Sequence, residues 1–176
     1  MEFKTIISRY LLVVLTLVFL LGGTILFSGQ TKLLAGTKPN NLGMATGQLL
    51  ACPDTPNCVN SKSLDAEHKI TPLTYTSSAE DAFNTLKTVV QSFKQSAIAP
   101  ARSQSFAQET DNYLYAEFTI PVVGFVDDVE FLLDKDAQVI HVRSASRLGE
   151  SDLGVNRKRI ETIRAKFNQL QAQAKA

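Results

Sequence analysis

FVDDVEFLLDKDAQVIHVRSAS, residues Phe125–Ser146, reads as a β-hairpin: two strands, Phe125–Leu133 and Val139–Ser146, about the turn Asp134-Lys135-Asp136-Ala137-Gln138. Side chains alternate faces along a strand, so the pairing register decides which residues share a face. Pairing Asp134 with Val139 sets Leu133 opposite Ile140, Phe131 opposite Val142 and Val129 opposite Ser144. The same register sets Glu130 opposite Arg143 and Leu132 opposite His141. A slip by one residue places Phe131 against Arg143 and Glu130 against Ser144, mixing apolar with charged partners, so the first register is favoured. One face then carries Val129, Phe131, Leu133, Ile140 and Val142, a core surface. The other carries Asp128, Glu130, His141, Arg143 and Arg147. Parity sends Asp127 to the core side, where a carboxylate must find donors or sit at the rim of the sheet.

Outward from the hairpin, the remaining elements follow from periodicity and punctuation. A strand lies around Ile70–Tyr75. A helix follows, with Ser77 and Ser78 as N-cap candidates and the capping-box spacing Ser77-x-x-Glu80. Its stripe of Ala79, Ala82, Phe83, Leu86, Val89, Val90 and Phe93 has helical spacing and belongs to a core. Ile98–Ala107 is a weaker extended segment beginning near Pro100, and Thr110-Asp111-Asn112 marks a turn. Tyr113–Ile120 alternates Leu114, Ala116, Phe118 and Ile120 against Tyr113, Tyr115, Glu117 and Thr119, a strand with two different faces that Pro121 ends. The last helix spans Val155–Gln171, with Ile160, Ile163, Phe167 and Leu170 as its apolar stripe. The expected fold is α+β: an N-terminal transmembrane helix, then one antiparallel sheet of four to five strands. Two amphipathic helices cover one face of that sheet, and the other face is partly solvated.

The chain has 176 residues, enough for one ordinary domain, and a net charge of +1, which argues against nucleic acid as a partner. Tyr10–Phe27, YLLVVLTLVFLLGGTILF, carries no charge. In helix it would rise about 27 Å, close to the hydrocarbon thickness of a bilayer. A cleaved signal peptide is the rival reading, but small-x-small cleavage sites fail: Leu26 stands upstream of Ser28 and Leu33 upstream of Ala35. Leu49-Leu50-Ala51-Cys52 resembles the end of a lipoprotein signal, yet it lies too far past the apolar run for lipid attachment. The domain expectation is a membrane anchor over 1–28, a glycine-rich linker over 29–48 and a globular domain over 49–176. Lys4 and Arg9 before the span balance Lys32 and Lys38 after it, so charge does not set the orientation.

The cysteines favour one side. Cys52 and Cys58, the only two, lie close together in CPDTPNC, where Pro53 and Pro56 restrict the chain. In an oxidising compartment such a pair forms a small disulfide loop; two reduced cysteines in a turn are the alternative. The globular part is therefore expected outside the cytoplasm, in a periplasm or thylakoid lumen. With His68 and His141 the only histidines and no paired CxxC, no zinc or other metal site is expected, and no cofactor.

Charge concentrates after the hairpin. Arg147–Gly154 is a glycine-punctuated loop, and Ser151 or Asp152 is placed to cap the last helix. Arg157-Lys158-Arg159 then falls in its first turns, where the helix dipole opposes cations. Compensation is expected from Asp127, Asp128, Glu150, Glu161 or a bound anion, since helix N-termini with nearby arginines suit phosphate and carboxylate groups. The candidate ligand-binding set is Asp127, Asp128, Arg143, Arg147, Asp152, Asn156, Arg157 and Arg159. Cross-strand Glu130–Arg143 pairing has an equally simple structural reading. No serine has G-x-S-x-G context, and Asp127 and Asp128 point to opposite faces, so no catalytic residue is assigned.

CPDTPNCVNS, GFVDDVEF and RSASRLGESDLGVNRKRIETIR, in that order, resemble the domain of unknown function 1499 family, over roughly Leu42 to Phe167. Ala51 stands before Cys52 where a proline is frequent in that family. Members occur in bacteria and plastids, often behind a membrane or transit segment. The resemblance implies an envelope or thylakoid-associated location and carries no established catalytic residue or ligand. The expected function is a membrane-anchored extracytoplasmic domain, not an enzyme, that binds an anionic ligand, lipid headgroup or protein partner through Arg143–Arg159. The alternatives are a hydrolase using Asp127, Asp128 or Glu130, and an assembly or scaffolding protein.

Overall fold

The computed structural model describes residues 34–43, 47–93, 102–120 and 124–174, with backbone alone over 102–109. The apolar run at 10–27 lies outside the described residues, and among these no helix is long and apolar enough to cross a membrane. The elements are β1 (Cys58–Asn60), β2 (Leu73–Thr74), α1 (Ala79–Ser92), β3 (Arg102–Glu109), β4 (Tyr113–Thr119), β5 (Val126–Asp134), β6 (Val139–Ser146) and α2 (Val155–Gln173). The strands form one antiparallel sheet in the order β1-β6-β5-β4-β3, with β2 also paired to β6. β1 and β2 take successive positions on the same edge of β6, opposite Arg143–Ala145 and Val139–Ile140, so they act as two pieces of one broken strand.

The hairpin register is the expected one: Asp134 faces Val139, Phe131 faces Val142, and Glu130 faces Arg143. Its apolar parity, with Leu114, Ala116 and Phe118 of β4, forms the floor of the main core. α1 contributes Ala82, Phe83, Leu86, Val89 and Val90, and α2 contributes Ile160, Ile163 and Phe167.

The helix starts use Ser78, one of the two serines expected at α1, and the carboxylate of Asp152 expected at α2. The N-cap of α1 is Ser78, whose Oγ accepts the Asp81 N–H at 3.0 Å and donates to Asp81 Oδ2 at 2.7 Å. The cap contact is therefore Ser78 with Asp81, one residue beyond the expected Ser77-x-x-Glu80 spacing, and Asp81 answers the serine hydroxyl and not its backbone N–H. At α2 the N-cap is Gly154, in the left-handed region, and Asp152 supplies the missing acceptors. Its Oδ1 accepts Gly154 N–H at 2.9 Å and its Oδ2 accepts Asn156 N–H at 2.7 Å.

The face opposite the helices is covered, where partial solvation is expected from sequence. Tyr113, Tyr115 and Leu132 bury against Leu49 and Leu42, so part of the segment read as a linker packs on the sheet. Two glycines let it approach. A Cβ on Gly36 (φ +66) would sit 2.8 Å from Arg147 Cβ, and one on Gly43 (φ +86) would sit 3.2 Å from Tyr113 Oη. Gly43 also donates its N–H to Glu130 Oε1 at 2.7 Å. This strap, residues 34–43, has no hydrophobic period because it is held by backbone and by single contacts, which no periodic pattern records.

Cys52 and Cys58 form a disulfide. Its loop is fastened to the sheet edge by Ser146 N–H donating to Asn57 O at 3.0 Å. His68 fastens the other side: Nδ1 lies 2.7 Å from Asp65 Oδ1 and Nε2 lies 3.1 Å from Thr55 O. Both ring nitrogens face acceptors, the arrangement an imidazolium requires. Burial pulls the His68 pKa down, but the Thr55 carbonyl and the Asp65 and Glu67 carboxylates outweigh it, and the net shift is upward. A raised folded-state pKa means that this stabilisation is full below the unfolded value of about 6.5 and is lost as pH rises through the folded value. Thermal melts from about pH 5.5 to 8.5 should show wild-type stability falling relative to His68→Gln, with the gap closing at the alkaline end; parallel curves would refute this.

Candidate functional site

β5 is buried on both faces from Val126 to Leu133, and this buried stretch carries three carboxylates. Alternation sends Asp127 to the helix side and Asp128 and Glu130 to the strap side, so the charges form two layers separated by the sheet.

On the helix side Asp127 is fully buried and pairs with Arg159 of α2, Oδ2 to Nη2 at 2.5 Å. Arg159 lies three residues after Asn156 on the apolar side of the helix. Its Nη1 donates to Ser144 Oγ at 3.0 Å and Asn156 Oδ1 at 2.5 Å, and its guanidinium stacks over the Phe118 ring at 5.0 Å. Burial pulls the Arg159 pKa down while Asp127 opposes it. Asn156 extends the chain of bonds, its Nδ2 donating to Asn57 O and Ser146 Oγ, each at 3.0 Å. The buried ion pair is thus linked to the disulfide loop. Asp127 Oδ1 and Arg159 Nε have no hydrogen-bond partner.

On the strap side, diagonal neighbours of β4 and β5 meet. Tyr113 Oη donates to Glu130 Oε1 at 2.8 Å, and Arg143 Nη1 donates to Glu130 Oε2 at 3.2 Å. Beside them Arg147 embraces Asp128, Nε to Oδ2 at 3.0 Å and Nη2 to Oδ1 at 2.7 Å. Tyr115 Oη donates toward Asp128 Oδ1 at 2.6 Å and Glu117 Oε1 at 2.9 Å, and Arg147 Nη2 reaches the same Glu117 oxygen at 2.7 Å. Lys38 of the strap lies over the Tyr115 ring, 4.2 Å from its centroid. Burial, then the neighbouring carboxylates, push both tyrosine pKa values far up, so they act as neutral donors. Burial would raise the Glu117 pKa, but bonds from Arg147 and Tyr115 and the charge of Lys38 outweigh it and leave it lowered. Arg143 Nε is buried without a partner.

The candidates chosen from sequence therefore do not converge on one site. Asp127, Asn156 and Arg159 lie under α2; Asp128, Arg143 and Arg147 lie under the strap; Asp152 is consumed as the cap. Arg157 joins neither layer. Its guanidinium donates to Lys69 O at 2.8 Å and Glu67 O at 2.6 Å. Two residues apart on a helix means about 200° of rotation, so Arg157 and Arg159 cannot share a partner. Compensation of the basic run thus comes from Asp127 and from backbone carbonyls.

Tyr113, Tyr115, Glu117, Lys38 and Gly43 are absent from the candidate set. The first three were legible as the second parity of β4, whereas Lys38 and Gly43 sit in an aperiodic segment. His141 also has a neighbour that hairpin register does not show: Ser61 Oγ lies 3.2 Å from its Nδ1, and Asp134 Oδ2 lies 3.5 Å from its Nε2. Ser61 Oγ already accepts Val142 N–H at 2.9 Å, so this trio ties the chain after β1 to β6. Burial, then Lys62, lowers the His141 pKa against the pull of Asp134. Among the described residues no group of three or more His, Cys, Asp or Glu side chains is placed to hold a metal ion. A groove of about 560 Å³ between α1 and the end of α2, lined by Thr76, Thr85, Thr88 and Gln171 among others, contains none of the candidates.

A family model described as "Protein of unknown function (DUF1499)" matches residues 48–167, more than half of the chain. The chain belongs to this family. The match begins just before the disulfide loop and ends at Phe167, so it spans β1 through the buried part of α2, including every carboxylate and arginine of the two layers. Lys38 and Gly43 of the strap lie before it. No curated protein and no solved structure matches the chain significantly.

Removing one partner of a buried ion pair strands the other charge, typically at about 3–5 kcal/mol, whereas replacing both by apolar groups is often neutral. Asp127→Asn should therefore cost about 3–5 kcal/mol in urea unfolding, and Asp127→Leu combined with Arg159→Met should recover most of that loss. A single variant within about 1 kcal/mol of wild type would contradict the assigned pairing.

Proposed function

We propose that the chain is a membrane-tethered, non-enzymatic binding domain displayed outside the cytoplasm. It takes up the anionic group of a small molecule or lipid headgroup on the strap side of its sheet. The apolar run at 10–27 supplies the tether, and the Cys52–Cys58 disulfide supports an oxidising compartment such as a periplasm or thylakoid lumen.

The observation that carries this reading is the division of Arg147 between two carboxylates. The Asp128 side chain is 2% exposed and locked from both sides, whereas Glu117, on the same Nη2, is 26% exposed. Asp128 neutralises the arginine permanently. Glu117 occupies an anion position that an incoming carboxylate or phosphate can take by displacing it, with Lys38 as a second cation and Tyr115 Oη as a donor. Arginine suits such exchange because its planar fork meets either group.

The hydrolase alternative receives no support from this geometry. Asp127, Asp128 and Glu130 are each bound by a guanidinium, and Asp128 and Glu130 also accept a tyrosine hydroxyl. None of these three carboxylates is left to take a proton from a substrate.

If Glu117 is the internal competitor, Glu117→Gln should tighten binding of glycerol phosphate or inorganic phosphate by about tenfold, and Lys38→Ala should weaken it. Isothermal titration on the purified chain reads both. Unchanged or weaker anion binding by Glu117→Gln would refute the proposal.

A further inference from the structure

We infer that the loop between β6 and α2, residues 147–154, is the side of the domain that seats on the bilayer surface, with Leu148 and Leu153 inserted beside Leu34. This rests on the membrane-tether reading and adds an orientation to it.

Leu153 is the first reason. It is 95% exposed and has φ +53. The left-handed region disfavours a side chain of this kind and is served at least cost by glycine, and nothing in the core uses the leucine. Neither the backbone nor the packing of this domain calls for leucine at that position, so its apolar surface serves something outside. Leu148 of the same loop and Leu34 of the strap are each 41% exposed. They belong to one end of the molecule, since Gly36 packs directly on Arg147 Cβ and Leu148 Cγ. Leu64, in the loop after β1, is also 95% exposed, and isolated leucines of that kind are ordinary; two in one loop beside a third mark an interaction surface.

The path of the chain names the occupant. From Phe27, the last residue of the apolar run, to Leu34 there are seven peptide steps. Fully extended they span at most about 25 Å. The strap then runs from Gly36 beside Arg147 and Leu148, past Lys38 over Tyr115, to Gly43 beside Tyr113. Tyr113 faces Leu132, next to the β5–β6 turn. The tether therefore arrives at the end that bears the leucines. The turn at 135–138 lies a full length of β6 away, about 27 Å at strand rise. A short tether arriving beside three exposed leucines holds them within reach of the interface.

Charge points to apolar insertion as the main attraction. The loop carries Arg147, whose side chain is buried against Asp128 and Glu117, Glu150, which is exposed, and Asp152, which is occupied in capping α2. Docking should accordingly persist on neutral phosphatidylcholine and at high salt, unlike attachment through basic residues.

The test uses the full chain in phosphatidylcholine proteoliposomes, spin-labelled at Leu153→Cys or, at the far turn, Ala137→Cys. The native cysteines are joined in the disulfide and take no label. The expected result is a Leu153→Cys label relaxed more by oxygen than by an aqueous nickel chelate, and an Ala137→Cys label with the reverse preference, both unchanged in 1 M salt (about 3 Å screening length). Extraction by alkaline carbonate separates the two readings. A carbonate-resistant chain whose Leu153→Cys label is as nickel-accessible as the Ala137→Cys label overturns the docking and leaves the tether standing. A chain released by carbonate overturns the tether and the docking together. A Leu153→Cys label shielded from both reagents reports a protein contact, such as a second copy, and also overturns bilayer docking.

Discussion

The structure depends on how a central strand with three buried carboxylates is covered on both faces. β5 has neighbours on either side, helices above and the strap below, so Asp127, Asp128 and Glu130 have almost no access to water. Burying an unpaired carboxylate is prohibitively costly, and each therefore requires a guanidinium within reach. Arg159, Arg147 and Arg143 meet that demand from α2, from the end of β6 and from β6 itself. Much of the architecture follows. α2 must lie across the sheet so that Arg159 descends onto Asp127, and the chain after β6 must turn so that Arg147 folds back over Asp128.

Such pairs add less to stability than their number implies, because desolvation consumes most of the attraction. Their stronger effect is on specificity. A one-residue slip of the hairpin would exchange the faces of all three carboxylates and leave charges facing apolar residues. Tyr113 and Tyr115, held neutral by burial, reinforce the same register by donating across the β4–β5 boundary. The network therefore favours this strand pairing and leaves Glu117, 26% exposed, at its rim.

The two layers communicate with opposite ends of the chain. The Asp127–Arg159 pair passes through Asn156 and Asn57 to the disulfide loop, while the Asp128–Arg147 pair lies under the strap that leads toward the apolar run. The disulfide side is closed by a covalent bond, by His68 and by backbone hydrogen bonds to β6.

Sequence alone determined whatever depends on period and local chemistry. The β5–β6 register, the core parity of both strands, the apolar stripes of the two helices, the disulfide and the Glu130–Arg143 pair were legible because neighbours within a hairpin or a helix turn are set by counting residues. Asp127 was also legible as the misplaced carboxylate, since parity alone sent it into the core. Tertiary structure decided the rest. Which arginine answers Asp127 depends on where α2 crosses the sheet, and helix rotation separates Arg157 from Arg159 by most of a half-turn. The strap belongs to the same class: Gly36, Lys38 and Gly43 contact residues about 70 to 110 positions away through single bonds and close backbone approaches. Contacts of that kind leave no period in the sequence, because they depend on shape at one point and not on a repeated face.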